Sequence, residues 1–346
     1  MDIKRLVKKD VQRLRAYSAR EVPCRIKLDA NESPYGFSAA LQAAARINTN
    51  RYPDPEAKQL RGILARDLVT RPENILQGNG SDELIYYLIA TFGGPVLFPT
   101  PTFSMYGIIS RALGEKPVEM PLDGEFDLDL KKMLAAIRKE RPRLIFLSSP
   151  NNPTGNCFSA ERILKIIGSS TGIVVVDEAY QPFSSRRGFL PLLKDYRNLV
   201  IMRTLSKIGL AALRIGFLIA DKEIIEEVNK VRLPFNVNSL SQAVAVAALR
   251  KRNDLDRTVR AIRAERARMF TAMEKIKGVR PFPSEANFIL FKVKDPGTVH
   301  ASLLKKGILV RNIDDAVKGC LRVTVGTPQE NSSFIRTLGV ILSAKA

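Results

Sequence analysis

Between about residues 80 and 220 the chain alternates two hydrophobic rhythms. SDELIYYLIATF, LKKMLAAIRKE and AERILKIIG repeat apolar residues every three to four positions, the spacing of one helix face. Between them stand short unbroken apolar runs, PVLFP, RLIFLSS, GIVVVDEA, NLVIMRT and IGFLIA. Runs such as VVV and LVIM are apolar at every position, so both faces of each strand must be covered by helices. This predicts an α/β fold: a large domain with a mostly parallel central sheet between layers of helix. From about 235 to 277 the pattern is helical, with no proline and no glycine, and predicts one long helix crossing into a smaller α+β domain. That domain is expected from ANFILFKV, a helix at 297–306, GILVRN, CLRVTV and a last helix from about Gln329. The division predicted is an arm at 1–35 belonging to the small domain or clasping a partner, a large domain at 36–240, and a small domain at 241–346. In the arm, Ile3, Leu6, Val7, Val11 and Leu14 recur at helical spacing, which predicts a docking helix with a solvated basic face.

Composition narrows the chemistry. Forty-five per cent hydrophobic residues in 346 suit a globular protein with a sizeable core. No apolar run approaches the roughly 20 residues that span a bilayer, and no signal peptide is visible, so no membrane role is expected. Cys24, Cys157 and Cys320 are scattered, which suggests neither a disulfide framework nor a zinc site and fits a reducing cytoplasm. A single histidine, His300, leaves serine-hydrolase triads and multi-histidine metal sites without their parts, and no metal is expected. The net charge of +20 raises the question of nucleic acid. The excess is spread along the chain, with no helix-turn-helix, zinc-finger or RNP pattern beside it, so nucleic acid is not expected as a partner. The field could instead steer an anionic substrate.

Candidate chemistry gathers where strands end. Lys207, in TLSKIGLAALRIGF, has small and hydroxyl neighbours, and such a lysine can condense with an aldehyde cofactor. Asp177 closes the run VVVD and is placed to hold a pyridinium nitrogen protonated. Tyr180, three residues on, can reach the cofactor's phenolic oxygen. Asn152 in SPNNPTG and Arg214, seven residues past the lysine, complete a set that a pyridoxal 5'-phosphate enzyme must supply. Each has a plain alternative, since a lysine is usually a solvated surface group and Asn-Pro-Thr-Gly usually a turn. GNGSDE at 78–83 opens a predicted helix, whose free N–H groups and dipole make an anion site of Gly80, Ser81 and Asp82. Ser81 and Asp82 serve equally as N-caps. Ser206 and Thr204 add hydroxyls, and Arg214 a guanidinium whose fork matches two phosphate oxygens.

The order N-P-T-G, D-x-x-Y, S-K and then R resembles the fold-type I aminotransferases. The stretches DANESPYG at 29–36, RYPDP at 51–55, QGNGSDEL at 77–84 and CLRVTVGTPQEN at 320–331 resemble the histidinol-phosphate branch. The likeness runs from about residue 21 to the C-terminus, and relatives acting on aromatic amino acids or on threonine phosphate share much of it. A PLP-fold regulator that binds nucleic acid is a further alternative, motivated by the charge. The resemblance implies transamination between histidinol phosphate and 2-oxoglutarate, with glutamate and imidazole acetol phosphate on the other side. It implies that Tyr106 in PTFSMYG stacks on the cofactor ring, that Asn152 donates to the phenolic oxygen beside Tyr180, and that Arg311 and Arg322 hold the substrate's phosphate in a pocket lined by Asn31 and Tyr35. It also implies a homodimer in which Tyr52 reaches the neighbouring subunit's cofactor phosphate. The family commonly has one more residue between this lysine and arginine, and Ile208-Gly209 is the place to absorb the difference.

Overall fold

The computed structural model describes residues 1–14 and 22–343. Among these, twelve strands fall into two sheets: β1 (Ile26–Leu28), β2 (Ile75–Asn79), β3 (Val96–Thr100), β4 (Pro117–Pro121), β5 (Leu144–Ser148), β6 (Ile173–Asp177), β7 (Leu199–Thr204), β8 (Ile215–Ala220), β9 (Arg280–Pro281), β10 (Phe288–Lys292), β11 (Ile308–Asn312) and β12 (Cys320–Thr324). The larger sheet has the order β2-β8-β7-β6-β5-β3-β4, and β8 alone runs antiparallel to its neighbours.

The continuous apolar runs become the central strands, as two-sided burial requires. Val174 and Val176 face one core with Ile145, Leu147 and Ile201, while Val175 faces the other with Phe146, Val200 and Met202. Each such side chain contributes roughly 1.5–3 kcal/mol by leaving water. The helices that cover them carry the predicted signals. Asp129 caps Leu130–Glu140 through the N–H of Lys132, and Ser159 caps Ala160–Ser169 through that of Arg162.

The smaller sheet has the order β1-β11-β12-β10-β9. β1 adds to its edge parallel to β11, with Ile26 opposite Ile308, so the start of the described core joins this sheet. Helices Pro296–Lys305 and Pro328–Ser343 pack with it.

Two expectations change. The helix predicted over 235–277 is two helices, Ser239–Leu249 and Arg252–Glu274, parted at Arg250–Lys251. The first packs Val244, Ala245 and Ala248 into the large sheet's core. The second begins in that core with Leu255 and ends in the small sheet's core with Ile262, Met269 and Met273. One straight helix could not present apolar faces to both, and no glycine or proline marks the break. The arm is likewise no continuous docking helix. It forms two single turns, Ile3–Leu6 and Lys9–Gln12, with Ile3, Leu6 and Val11 exposed, because so short a helix is marginal without an apolar face to bury. The rest of the predicted arm helix, 15–20, lies outside the described residues.

Candidate active site

The parallel strands deliver their C-terminal ends to one edge of the large sheet. Asn152 follows β5, Asp177 ends β6 and Lys207 follows β7. β8 runs the other way, so Arg214, just before its start, joins the same edge, as does Gly80 after β2. This is where α/β sheets gather ligands.

Asp177 is 4% exposed. Its Oδ2 accepts from the Tyr106 hydroxyl at 2.6 Å and its Oδ1 from the N–H of Ala179 at 3.0 Å. Among the described residues no ion pair forms with it. Burial pushes its carboxyl up to about 6, the hydrogen bonds from Tyr106 and Ala179 draw it back, and the charges of Asp82 and Glu178 add to the rise. The adjacent Glu178, fully buried, differs sharply: it binds Arg203 at 2.6 Å and the N–H of Phe189. A buried carboxylate lacking a cation is costly, and a protonated ring nitrogen is the group that would complete it.

Lys207 lies in the turn Ser206–Ile208, its Nζ 5.8 Å from the Tyr180 ring centroid. Tyr180 is buried, and its hydroxyl accepts from Asn31 Nδ2 at 2.9 Å. Asn31 is itself held with φ of 55°, its N–H donating to Thr324 Oγ1 at 2.9 Å and its carbonyl accepting from Asn287. Thr204 and Ser206 share a 2.9 Å hydroxyl contact behind the lysine.

At the predicted anion site the helix Ser81–Phe92 opens from Gly80, whose φ of 85° and ψ of 167° suit glycine alone. A Cβ on Gly80 would lie 2.5 Å from Arg214 Nη2. Arg214 pairs with Asp82 at 3.4 Å, both about half exposed. The short Lys207–Arg214 step is closed by two residues of positive φ, Gly209 and Arg214. A Cβ on Gly209 would meet the Tyr35 carbonyl at 2.5 Å, so the glycine lets the 29–36 segment close over this turn. Tyr35, Gly209, Ala211, Ala212 and Thr324 line a pocket of about 310 Å³.

Arg322 is 7% exposed, donating to Asn152 Oδ1 at 2.5 Å and to the Asp29 carbonyl at 2.6 Å, its guanidinium over the Phe288 ring. Arg311 stands directly opposite it across β11 and β12. Directly opposed residues share a face, and like charges there repel. An anion between them is the natural remedy.

One expected role is corrected. Tyr106 is fully buried with its ring stacked on Phe146 at 4.7 Å, so it has no face to give a ligand. The half-buried aromatic of the same segment is Phe103, edge-on to Tyr106 at 5.7 Å. PTFSMYG offers two aromatics three apart, and only burial tells which one faces inward. Asn152's carbonyl is engaged by Arg322, linking it to the small sheet as well as to Lys207's edge. Tyr52 stands apart, 82% exposed and stacked on Phe235 at 4.6 Å. Sequence reasoning missed Phe103, Thr324 and Asn287, the last two carrying no local signal.

Comparison with known proteins shows the family. The family model for aminotransferase class I and II matches residues 25–338. A histidinol-phosphate aminotransferase of Aquifex aeolicus is 43% identical over 96% of this chain and 97% of its own. Another, histidinol-phosphate aminotransferase 2 of Nitrosococcus oceani, is 42% identical over 96% of each. Among solved structures, the histidinol-phosphate aminotransferase from Sinorhizobium meliloti in complex with pyridoxal-5'-phosphate has a TM-score of 0.87 at 26% identity, covering 98% of both chains. With that family model matching nearly the whole chain and relatives at 42–43% identity over 96% of it, the chain belongs to the class I and II aminotransferases, in the histidinol-phosphate aminotransferase branch.

Proposed function

We propose that this protein is a pyridoxal-phosphate aminotransferase of histidine biosynthesis, interconverting histidinol phosphate plus 2-oxoglutarate with imidazole acetol phosphate plus glutamate. The observation that carries it is Asp177, a buried carboxylate without an ion pair among the described residues, on the same sheet edge as Lys207. When bound, the cofactor supplies an aldehyde carbon that takes the substrate's amine and a ring that draws electrons from the neighbouring C–H bond. Asp177 would face the ring nitrogen and Tyr180 and Asn152 the phenolic oxygen. Gly80, Ser81, Asp82, Thr204, Ser206 and Arg214 would surround the phosphate. Lys207 would hold the aldehyde carbon and, once freed by the substrate's amine, take the proton from the substrate's Cα with Nζ and deliver it to that former aldehyde carbon. Phe103 would cover the ring in place of Tyr106.

The facing arginines favour a doubly anionic tail over a single carboxylate, which supports a phosphate-bearing substrate held by Arg311 and Arg322 with Asn31 and Tyr35 beside them. The exposed Tyr52–Phe235 stack, with Leu233 also exposed nearby in sequence, is the apolar surface a second copy would cover, and Tyr52 would reach that copy's cofactor phosphate. The cysteines are free thiols, the form a reducing cytoplasm keeps, and we place the enzyme there. No helix among the described residues is long and apolar enough to cross a membrane. The two bodies would act as domains, with the divide inside Arg252–Glu274, between Leu255 and Ile262, rather than at 240.

The test is purified protein assayed side by side with histidinol phosphate, phenylalanine and threonine phosphate. Histidinol phosphate should give the highest kcat/KM, and a comparable value with phenylalanine would overturn the substrate. Borohydride should fix a visible absorbance band onto Lys207. Full turnover by Lys207→Ala would overturn the catalytic assignment. Sedimentation should give a particle of twice 38.5 kDa.

A further inference from the structure

Tyr106 sits on the first turn of helix Met105–Leu113 and is fully buried. Phe146, on β5, stacks on its ring with 11° between planes, and Phe103 meets it edge-on. A ring gripped on two sides can aim its hydroxyl in few directions, and here it donates to Asp177 Oδ2 at 2.6 Å. The other oxygen of Asp177 accepts from the Ala179 N–H, so these two donors are neutral and lie on the two different oxygens. A carboxylate held at both oxygens has its plane defined, which leaves its outward lone pairs at a set angle to the sheet edge. We propose that Tyr106 is a positioning residue for transamination, its buried hydroxyl anchoring Asp177 and holding that carboxylate in its ionised form toward the cofactor's ring nitrogen.

The inference rests on the aminotransferase reading above, and the surroundings of Asp177 support it. From the head of helix Ser81–Phe92 comes the charge of Asp82, which Arg214 partly offsets. From its own strand's end comes Glu178, neutralised by Arg203 on β7. Tyr180 follows on the same segment, with Lys207 Nζ near its ring. Burial and both carboxylates oppose ionisation of Asp177, and the Tyr106 hydrogen bond is the foremost influence favouring it, ahead of the Ala179 N–H. Burial, and then the charge of Asp177, hold the Tyr106 hydroxyl well above its ordinary range, so it stays a donor throughout the working pH range.

The test is Tyr106→Phe, which keeps the ring and its stack and removes one oxygen. In cofactor-free protein, infrared spectroscopy reads the protonated carboxyl band of Asp177, assigned by its loss in Asp177→Asn. The midpoint should rise by about one pH unit, a tenfold gain in proton affinity. In the loaded enzyme the acid limb of the kcat–pH profile should move up by the same amount while KM stays put. In an Asp177→Asn background, Tyr106→Phe should move nothing further. An unchanged midpoint, or a loss of kcat that is equal at every pH, would show a merely structural tyrosine and overturn the proposal. Phe146→Leu loosens the stack without touching the hydroxyl, and should give a smaller shift in the same direction; it decides the matter if the first variant does not fold. The infrared midpoint needs no cofactor. It therefore separates failure of this inference from failure of the aminotransferase reading, which wild-type protein without a visible band or transamination would reveal.

Discussion

Replacing Asp177 by asparagine sets what the chemistry needs against what the fold prefers. Asp177 is 4% exposed and its carboxyl is pushed up to about 6 from 3.8, by burial first. The folded value is the higher one, so the folded protein binds this proton more tightly than the unfolded chain does. The stability gained from protonation is therefore complete below about 3.8 and is lost as pH rises through 6. At ~1.4 kcal/mol per tenfold, the buried charge costs about 3 kcal/mol above that range. Asparagine never ionises and escapes this cost. Its amide has a single acceptor oxygen, so it keeps one of the bonds from Tyr106 and Ala179 and forfeits the other, about 1–2 kcal/mol at any pH. The net is a gain on the order of 1 kcal/mol at pH 7.5 and a loss of about 1 kcal/mol at pH 4. Thermal denaturation of cofactor-free wild type and Asp177→Asn from pH 4 to 8 reads this directly. The Tm difference should shift in favour of the variant between pH 4 and 6, by roughly 2–4 °C, and stay level above 6. Once loaded, the same variant should lose on the order of 10²–10³ in kcat, since a preorganised charge of this kind is worth that much. Parallel Tm curves across the pH range would refute the reasoning, because they would mean that the carboxylate has a counter-charge after all.

Arg214→Ala should weaken pyridoxal-phosphate affinity by on the order of 10- to 150-fold, the value of one charge-assisted contact, with excess cofactor restoring turnover. Its half-exposed 3.4 Å pair with Asp82 should be worth under about 1 kcal/mol, so urea midpoints should barely move. Arg322→Ala should lower kcat/KM by a similar 10- to 150-fold, and excess cofactor should do nothing for it; rescue of Arg322→Ala alone would mean the two anion sites are interchanged. Gly80→Ala places a Cβ against Arg214 at a backbone conformation that costs about 1–3 kcal/mol for other residues. A cofactor titration should show weaker binding together with a lower Tm. Val69 is 94% exposed at a φ of 53°, so Val69→Asn should raise the urea midpoint, by about 0.5–1 kcal/mol in stability, without touching turnover.

Much of the site was legible because it obeys local rules. A strand buried on both faces must be apolar throughout, so VVV and LVIM announce a covered sheet, and a charged residue closing such a run, as Asp177 does, stands out. A helix must leave its first N–H groups free, so GNGSDE announces a candidate anion site wherever the helix goes. Asn152, Asp177 and Lys207 come at strand ends and therefore meet at one edge, whereas Arg214, just before β8, joins them because that strand runs antiparallel. What tertiary structure alone decided depends on partners far apart in the chain. Residues 31 and 324 are joined through a hydroxyl, and Arg322 reaches the carbonyl of Asp29, because β1 adds to a sheet whose other strands come some 280 residues later. Arg311 and Arg322 face each other only through the register of β11 on β12, since a slip of one residue would turn one of them to the opposite face. The choice between Phe103 and Tyr106 was made by Phe146, which fills the space on one side of Tyr106 and turns a tyrosine that could have met a ligand into a support for the aspartate. The break at Arg250–Lys251 has no sequence mark because helix propensity is satisfied on both sides of it. It was set by the positions of two hydrophobic cores that one straight helix could not serve.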